Sequence, residues 1–223
     1  MVGRELPVNE ALLALQDAVV EGQAKIVEQE VQTALAGGLS PRAILEQGLI
    51  AAMSIVGEEF EKGEIYVPEM LVAARAMQAG LSLLRPSLVE EGVQAVGKVV
   101  LGTVQGDLHD IGKNLVGMML QGAGYEIVDL GTDVPPEKFA EAVRMHRPLV
   151  VGLSALLTTT MGNMKYAIEA IEDVGLRAQV KVIVGGAPLT EEFAHSIGAD
   201  GYGADASRAA NLVKSLLGQS NQS

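Results

Sequence analysis

Five short runs rich in β-branched residues constrain this chain more than any other feature. They are KVVLGTV (98–104), EIVDL (126–130), LVVGLS (149–154), VKVIVG (180–185) and a weaker ADGYG (199–203). Helical stretches fit between them at about 112–122, 136–146, 161–174 and 190–197, with a last one at 206–217. Strands that are apolar on both faces must be covered on both, and strands separated by helices pair in parallel. The pattern therefore predicts a five-stranded parallel sheet wound on both sides.

The first 90 residues have a different grammar. In PRAILEQGLIAAMSIVGEEF the apolar positions Leu45, Leu49, Ala52, Met53, Val56 and Phe60 recur every three or four residues, the stripe of an amphipathic helix. Ser40 before Pro41 reads as an N-cap with proline at the first helical position. A further helix is expected from about Pro68, with Met70, Ala74, Met77, Leu81 and Leu84 on one face, stopping before Pro86. Helices at roughly 9–20 and 23–36, the second closed by Gly37-Gly38, complete an antiparallel four-helix bundle. The expected organisation is an α-helical domain over 1–90, a linker over 91–97, an α/β domain over 98–218 and a disordered tail, 219–223. Five βα units favour a flavodoxin-like doubly wound sheet of order 2-1-3-4-5 for the second domain.

Composition narrows the function. A net charge of −12 argues against a surface that tracks nucleic-acid phosphates. With no Cys there is no disulfide framework, thiolate metal site or cysteine nucleophile. No Trp and only 3% aromatic residues leave an aliphatic core. The start, MVGRELPVNEALLALQ, lacks a basic segment followed by an apolar one, and no window resembles a membrane span. A soluble, cytoplasmic protein without membrane or nucleic-acid partners is expected.

In a sheet of this order, ligands sit beyond the carboxyl ends of the strands, at the switch between strands 1 and 3. Three unusual loops meet there: GDLHDIG after strand 1, SALLTTTMG after strand 3 and GGAP after strand 4. They place His109, Ser154 and Gly185-Gly186 along one crevice. Glycines directly after a strand let a flat or bulky ligand lie close to the backbone. Ser154, Thr158, Thr159 and Thr160 offer hydroxyls, and Leu156 an apolar wall. In GTDVPPEKF (131–139), Thr132 or Asp133 is expected to cap the helix that Pro135-Pro136 open. Asp110 and Lys113 read as a solvated helix start, His146 as a helix C-terminal charge and His195 as a surface residue.

The spacing can be written as a pattern: Asp107-x-His109-x-x-Gly112, 41 residues, Ser154-x-Leu156, 28 residues, Gly185-Gly186. This is the signature of the cobalamin-binding fold. The chain resembles, over nearly its whole length, the corrinoid proteins of methyltransferase systems and the cap and cobalamin-binding domains of methionine synthase. The resemblance implies a cobalamin or related corrinoid whose own base is displaced from cobalt, with His109 as lower axial ligand. Asp107 would accept a hydrogen bond from the second ring nitrogen and orient the ring. Thr160 would complete the relay. Asp107, His109, Asp110, Ile111, Gly112, Ser154, Leu156, Thr158, Gly185 and Gly186 would hold the cofactor. In GEEFEKGEIYVPEMLVAARAM (57–77), Phe60, Val67 and Met70 align with residues that cap the corrin's reactive face. The linker, extended back to Pro86, would act as a hinge.

The activity so implied is a methyl carrier. A donor-specific methyltransferase moves a methyl group from a simple donor to Co(I), and a second methyltransferase passes it to an acceptor such as coenzyme M or tetrahydrofolate. A reductive activase serves the pair. Such a chain is a subunit of a multi-component system, not an enzyme complete in itself. Donors of the family include methanol, methylamines, glycine betaine and methoxylated aromatics, and the sequence does not choose among them. It is also silent on acceptor, oligomeric state and lower base. Two alternatives share parts of the pattern. A cobalamin-sensing regulator carries a DNA-binding helix-turn-helix ahead of the cap, whereas here the helical segment begins by about residue 9 in an acidic chain. A cobalamin-binding mutase subunit usually lacks the cap.

Overall fold

A computed structural model describes residues 8–218, so the expected tail at 219–223 lies outside the described residues. The chain divides into two compact units. One runs through Ala95 and takes in Gly122–Gly124, and the other holds Val96–Gln121 and the residues from Tyr125 onward.

The first unit is helical: α1 (Val8–Val20), α2 (Ala24–Ala36), α3 (Pro41–Ala43), α4 (Ala51–Lys62) and α5 (Val67–Glu90). Ser40 caps α3 as expected, its hydroxyl accepting from the Ala43 amide at 3.2 Å, with Pro41 in the first turn. Between α3 and α4 the chain stays helical but widens into a π-turn over Ile44–Ile50. Gly48 lies there against α1, where a Cβ would stand 2.6 Å from a Leu15 methyl. The Gln47 carbonyl in this turn accepts from the Gln16 side chain at 2.6 Å. Leu15, Val19, Val27, Val31, Ile44, Leu49, Val56 and Leu84 are fully buried, an aliphatic core.

α5 departs from expectation. It does not stop before Pro86 but runs through it to Glu90. Proline removes an amide and crowds the preceding turn. Here Pro86 is on the exposed face, while Leu84 and Leu88 on either side are buried. Burying Leu88 rewards one more turn, and the connection to the sheet shortens to the residues after Glu90.

The second unit is an all-parallel five-stranded sheet of order β2-β1-β3-β4-β5. Its strands are β1 (Lys98–Thr103), β2 (Glu126–Asp129), β3 (Val150–Ser154), β4 (Lys181–Gly185) and β5 (Gly201–Gly203). The helices α6 (Ile111–Gly122), α7 (Pro136–His146), α8 (Asn163–Asp173), α9 (Glu191–Ser196) and α10 (Ala206–Leu216) alternate with them. Val100, Val151, Leu153, Val182 and Val184 pack with Phe139, Met164, Ile168 and Ile171 in one cluster. Gly102 makes room for Phe139, since a Cβ there would lie 2.6 Å from the ring. The register sets Thr103 beside Ser154 and Ser154 beside Gly185, so the carboxyl ends of the three central strands finish level.

Candidate functional site

The loop after β1 turns sharply. Gly106 has a left-handed backbone (φ 82°), and the Asp107 amide donates to the Val104 carbonyl at 3.1 Å. This turn drives Asp107 inward until its side chain is fully buried, 0% exposed. A buried carboxylate needs donors on both oxygens, and Asp107 has them. Oδ1 accepts from the His109 amide at 3.0 Å and lies 2.8 Å from His109 Nδ1. Oδ2 accepts from the Thr160 hydroxyl at 2.6 Å, the Leu156 amide at 2.8 Å and, at 3.3 Å, the Leu157 amide. Burial alone would raise this carboxyl's pKa. The donors, led by Thr160 and the His109 and Leu156 amides, outweigh it and hold the group well below the usual carboxylate range.

An ionised carboxylate only accepts, so Nδ1 of His109 carries the donated proton and Nε2 is left as the ring's other nitrogen. The ring stands 52% exposed. Around it on the same two loops, Leu108 and Ile111 are each 73% exposed, and Leu156 and Leu157 are also solvent-facing. Large apolar side chains so exposed at a sheet's ligand edge mark a binding surface.

Gly186 is the steric counterpart. Its φ is 141°, and a Cβ there would sit 1.8 Å from the Ala155 carbonyl oxygen. Only glycine lets the loop after β4 close on the loop after β3, and the Ala155 amide donates to the Gly185 carbonyl at 3.2 Å. Ser154 is half-buried at the end of β3, its carbonyl accepting from the Val104 amide at 3.0 Å.

The structure thus brings Asp107, His109, Thr160 and Leu156 into one hydrogen-bonded group, with Ser154, Gly185 and Gly186 on the adjoining strand ends. Thr158 is exposed and Gly112 is open to solvent, neither within the Asp107 network. Asp110 is half-buried, its carbonyl accepting from the Asn114 amide at 2.8 Å, which opens α6. In the first unit, Phe60 and Val67 are half-buried, whereas Met70 is 1% exposed and offers no free surface.

Two expectations are corrected. Lys113 is not at a solvated helix start: it is buried, and its ammonium meets both oxygens of Asp129 at 2.7 and 2.6 Å and the Asn114 side chain at 2.8 Å. A lysine at the start of a helix that packs beside the end of β2 can bury its stem only by pairing its charge there. Neither Thr132 nor Asp133 caps α7 either. The N-cap position is Pro135, without a side-chain cap bond, and the Asp133 carboxylate accepts from the Gly106 amide at 2.7 Å instead. The left-handed backbone at Asp133 (φ 55°) turns the residue away from α7 and toward the β1 loop.

Sequence reasoning also missed Thr103 and Asn163. The buried Thr103 hydroxyl donates to the His109 carbonyl at 2.9 Å, and the Asn163 amide group donates to the Gln105 carbonyl at 2.7 Å. Thr103 carried a signal, a polar residue inside an otherwise apolar strand directly before the motif. Asn163 carried none.

Whether a corrin ring suits this site follows from its donors. Among the described residues there is no group of three or more His, Cys, Asp or Glu side chains able to hold a metal ion. What His109 offers is one imidazole nitrogen, while both oxygens of Asp107 are already engaged. One nitrogen in an apolar surround fits a metal that brings its own ring of ligands, and imidazole is a good donor to a borderline metal. The glycine at 186 is needed by the Ala155 backbone it packs on, so the fit rests on the His109 nitrogen. The residues present fit the group.

Comparison with known proteins agrees. Residues 97–211 match a family model described as B12 binding domain, and residues 12–85 match a second model of the same description. The chain is 40% identical over 219 residues to trimethylamine corrinoid protein 2 of Methanosarcina acetivorans, covering 97% of this chain and 99% of that one. It is 44% identical over 211 residues to the dimethylamine corrinoid protein of Methanosarcina barkeri, covering 94% and 98%. The crystal structure of the methanol:cobalamin methyltransferase complex of Methanosarcina barkeri matches with a TM-score of 0.82 at 29% identity, covering 96% of this chain and 82% of that one. Among the described residues no helix is long and apolar enough to cross a membrane. With its Asp107–His109 site at the switch point of the sheet, the chain belongs to the B12-binding corrinoid proteins of methyltransferase systems.

Proposed function

We propose that this protein is a methyl carrier whose His109 imidazole would hold the cobalt of a bound corrinoid. One observation carries the reading most directly. The buried Asp107 spends one oxygen on fixing the Nδ1 edge of a half-exposed imidazole, and the segment that carries the imidazole also exposes Leu108 and Ile111. When bound, the corrinoid's cobalt supplies the centre that accepts and gives up the methyl group.

The chain's own residues supply the rest. Asp107 keeps the proton on Nδ1 and so presents Nε2 as the donor nitrogen. Thr160 steadies Asp107 through Oδ2, linking the loops after β1 and β3. With the corrinoid bound, Leu108, Ile111 and Leu156 would exclude water beside His109, and Ser154 with Gly185-Gly186 would hold its nucleotide tail. In the helical unit, Phe60 and Val67 are the candidates to cover the reactive face.

A methyltransferase partner loads the carrier. A second methyltransferase unloads it and a reductive activase restores it, all in the cytoplasm. The relatives named for trimethylamine and dimethylamine, at 40% and 44% identity, make methylamines the first donors to try.

The test is the electron paramagnetic resonance and visible spectrum of protein reconstituted with Co(II) cobalamin, beside His109→Ala. Coupling of cobalt to a protein nitrogen, lost in His109→Ala, is the expected result. If neither protein retains the corrinoid, or the variant keeps the coupling, the assignment of His109 is wrong.

A further inference from the structure

Asp133 is one of two non-glycine residues with positive φ among those described, the other being Arg147. Arg147 is accounted for locally: it follows the last residue of α7, where a left-handed turn is a common ending, and its amide donates to the Val143 carbonyl. Asp133 ends no helix. Side chains other than Gly, Asn and Asp resist this conformation, and a left-handed residue persists only where its surroundings hold it.

Those surroundings are explicit. Beyond β2 the chain keeps pairing with β1, since the Leu130 amide donates to the Leu101 carbonyl at 2.8 Å and the Thr103 amide to the Gly131 carbonyl at 2.9 Å. The Val134 amide then donates to the Thr103 carbonyl at 3.0 Å. Gly131 and Val134 therefore share Thr103 as partner, and Thr132-Asp133 between them are extra residues, a bulge in the ladder. Bulges re-aim side chains at sheet ends. This one sets Asp133 against the backbone of Gly106 and Asp107, just ahead of the motif histidine. Its carboxylate accepts from the Gly106 amide at 2.7 Å, and its own amide donates to the Asp107 carbonyl at 2.9 Å. The foot of the bulge is fixed as well. Asp129 accepts from the Gly131 amide at 2.9 Å and is gripped by the buried Lys113 of α6.

We infer that Asp133 is a positioning residue for the axial histidine. It clamps the Gly106–Asp107 backbone at two points and so sets the depth at which Asp107 meets the His109 ring. The inference rests on the reading of His109 as ligand. Thr160 and the Leu156 amide hold the Asp107 side chain from the β3 side, and Asp133 holds its main chain from the β2 side. Without the carboxylate, the loop with its glycine hinge at Gly106 keeps the Asp133 amide on that flank and the Thr103 and Asn163 bonds to the His109 and Gln105 carbonyls, none of which holds the Gly106 amide.

Three variants test it in two ways. Asp133→Gly keeps the left-handed backbone and the amide but removes the carboxylate, Asp133→Asn keeps an acceptor oxygen, and His109→Ala is the control. In the protein without corrinoid, amide hydrogen exchange at Gly106 and His109 should quicken about tenfold in Asp133→Gly and stay near wild type in Asp133→Asn. With Co(II) cobalamin bound, the ratio of nitrogen-coupled to uncoupled cobalt should fall roughly tenfold in Asp133→Gly, with Asp133→Asn restoring it. Wild-type exchange at His109 in Asp133→Gly overturns the inference. So does wild-type coupling in that variant, or an Asp133→Asn protein that behaves like Asp133→Gly. If Asp133→Gly does not retain corrinoid, the exchange measurement alone decides. Coupling that survives in His109→Ala instead overturns the ligand assignment, and the exchange measurement still decides the clamp.

Discussion

The two edges of the sheet each carry an aspartate that gathers donors from neighbouring strands, and they use it differently. At the amino edge, Asp200 accepts from the Val182 amide at 2.8 Å, Arg177 at 2.7 Å and Lys181 at 3.2 Å. Arg177 also donates to the Gly198 and Val180 carbonyls, so the group closes on itself. At the carboxyl edge, Asp107 meets amides, a hydroxyl and an imidazole rather than a lysine or arginine. Both carboxyls sit below their ordinary pKa: burial opposes this in each, and hydrogen bonds, joined at Asp200 by the charge of Arg177, prevail. The difference is in what the acceptor capacity serves. Asp200 ends in cations whose other bonds, from Arg177, return to the backbone beside it, whereas Asp107 ends in a ring with a nitrogen left over. An edge that neutralises its carboxylate with salt bridges fixes strands; an edge that satisfies it with neutral donors can orient a ligand.

The same contrast appears in backbone contacts and gives the largest expected effect. Gly186→Ala would force a Cβ to within 1.8 Å of a backbone oxygen, in a conformation that L residues rarely adopt. It should cost about 3 kcal/mol or more, on the order of 10 °C in Tm, with weakened corrinoid binding. Thermal unfolding and titration with cobalamin would measure both.

Next comes Asp107→Asn. It leaves buried donors facing an amide and should cost about 2 kcal/mol while shifting the pH profile of methyl transfer. The sign with pH is fixed. Because the folded-state pKa lies below the ordinary 3.8, Asp107's contribution is complete above that value and is lost as the pH falls toward the folded-state value. Acid titration of stability should therefore be shallower in Asp107→Asn than in wild type. An unchanged acid limb and an unchanged rate profile together would remove Asp107 from the mechanism.

Asp200→Asn should be milder, about 1 kcal/mol, since its ion pairs are partly exposed, and it should leave the Co(II) spectrum unaltered. A spectral change equal to that of Asp107→Asn would break the contrast between the edges. The smallest effect is expected for Gly97→Ala. A Cβ there meets the Leu149 side chain at 2.3 Å, but that side chain is 38% exposed and free to turn aside, so the cost should stay within about 1 kcal/mol. A loss as large as that of Gly186→Ala would show that the amino edge is as tightly built as the ligand edge.

By itself the sequence determined the fold and which loops meet at the candidate site. Strand order followed from five β-branched runs separated by helices, because parallel strands apolar on both faces have few ways to be covered. His109, Ser154 and Gly185-Gly186 were legible because each follows closely on the end of its strand, and strand ends in a doubly wound sheet meet at one place; Asp107 was legible only through the family resemblance. Pro86 was read less well, since helical periodicity identifies a buried stripe without saying how far burial will carry the helix. The helix through Pro86 depends on Leu88 finding a buried place.

Only tertiary structure decided the bond of Asp133 to Gly106, the burial of Lys113 against Asp129 and the reach of Asn163 to Gln105. Each joins groups 16 to 58 residues apart through a side chain whose local context favours a cap, a solvated charge or a helix start. Local propensity is a sum over neighbours in sequence, whereas a hydrogen bond between loops depends on where two separate strands end. At the Asp133 bulge, the geometry of the β1–β2 ladder prevailed over the preference of an aspartate before Pro-Pro to cap the helix that follows.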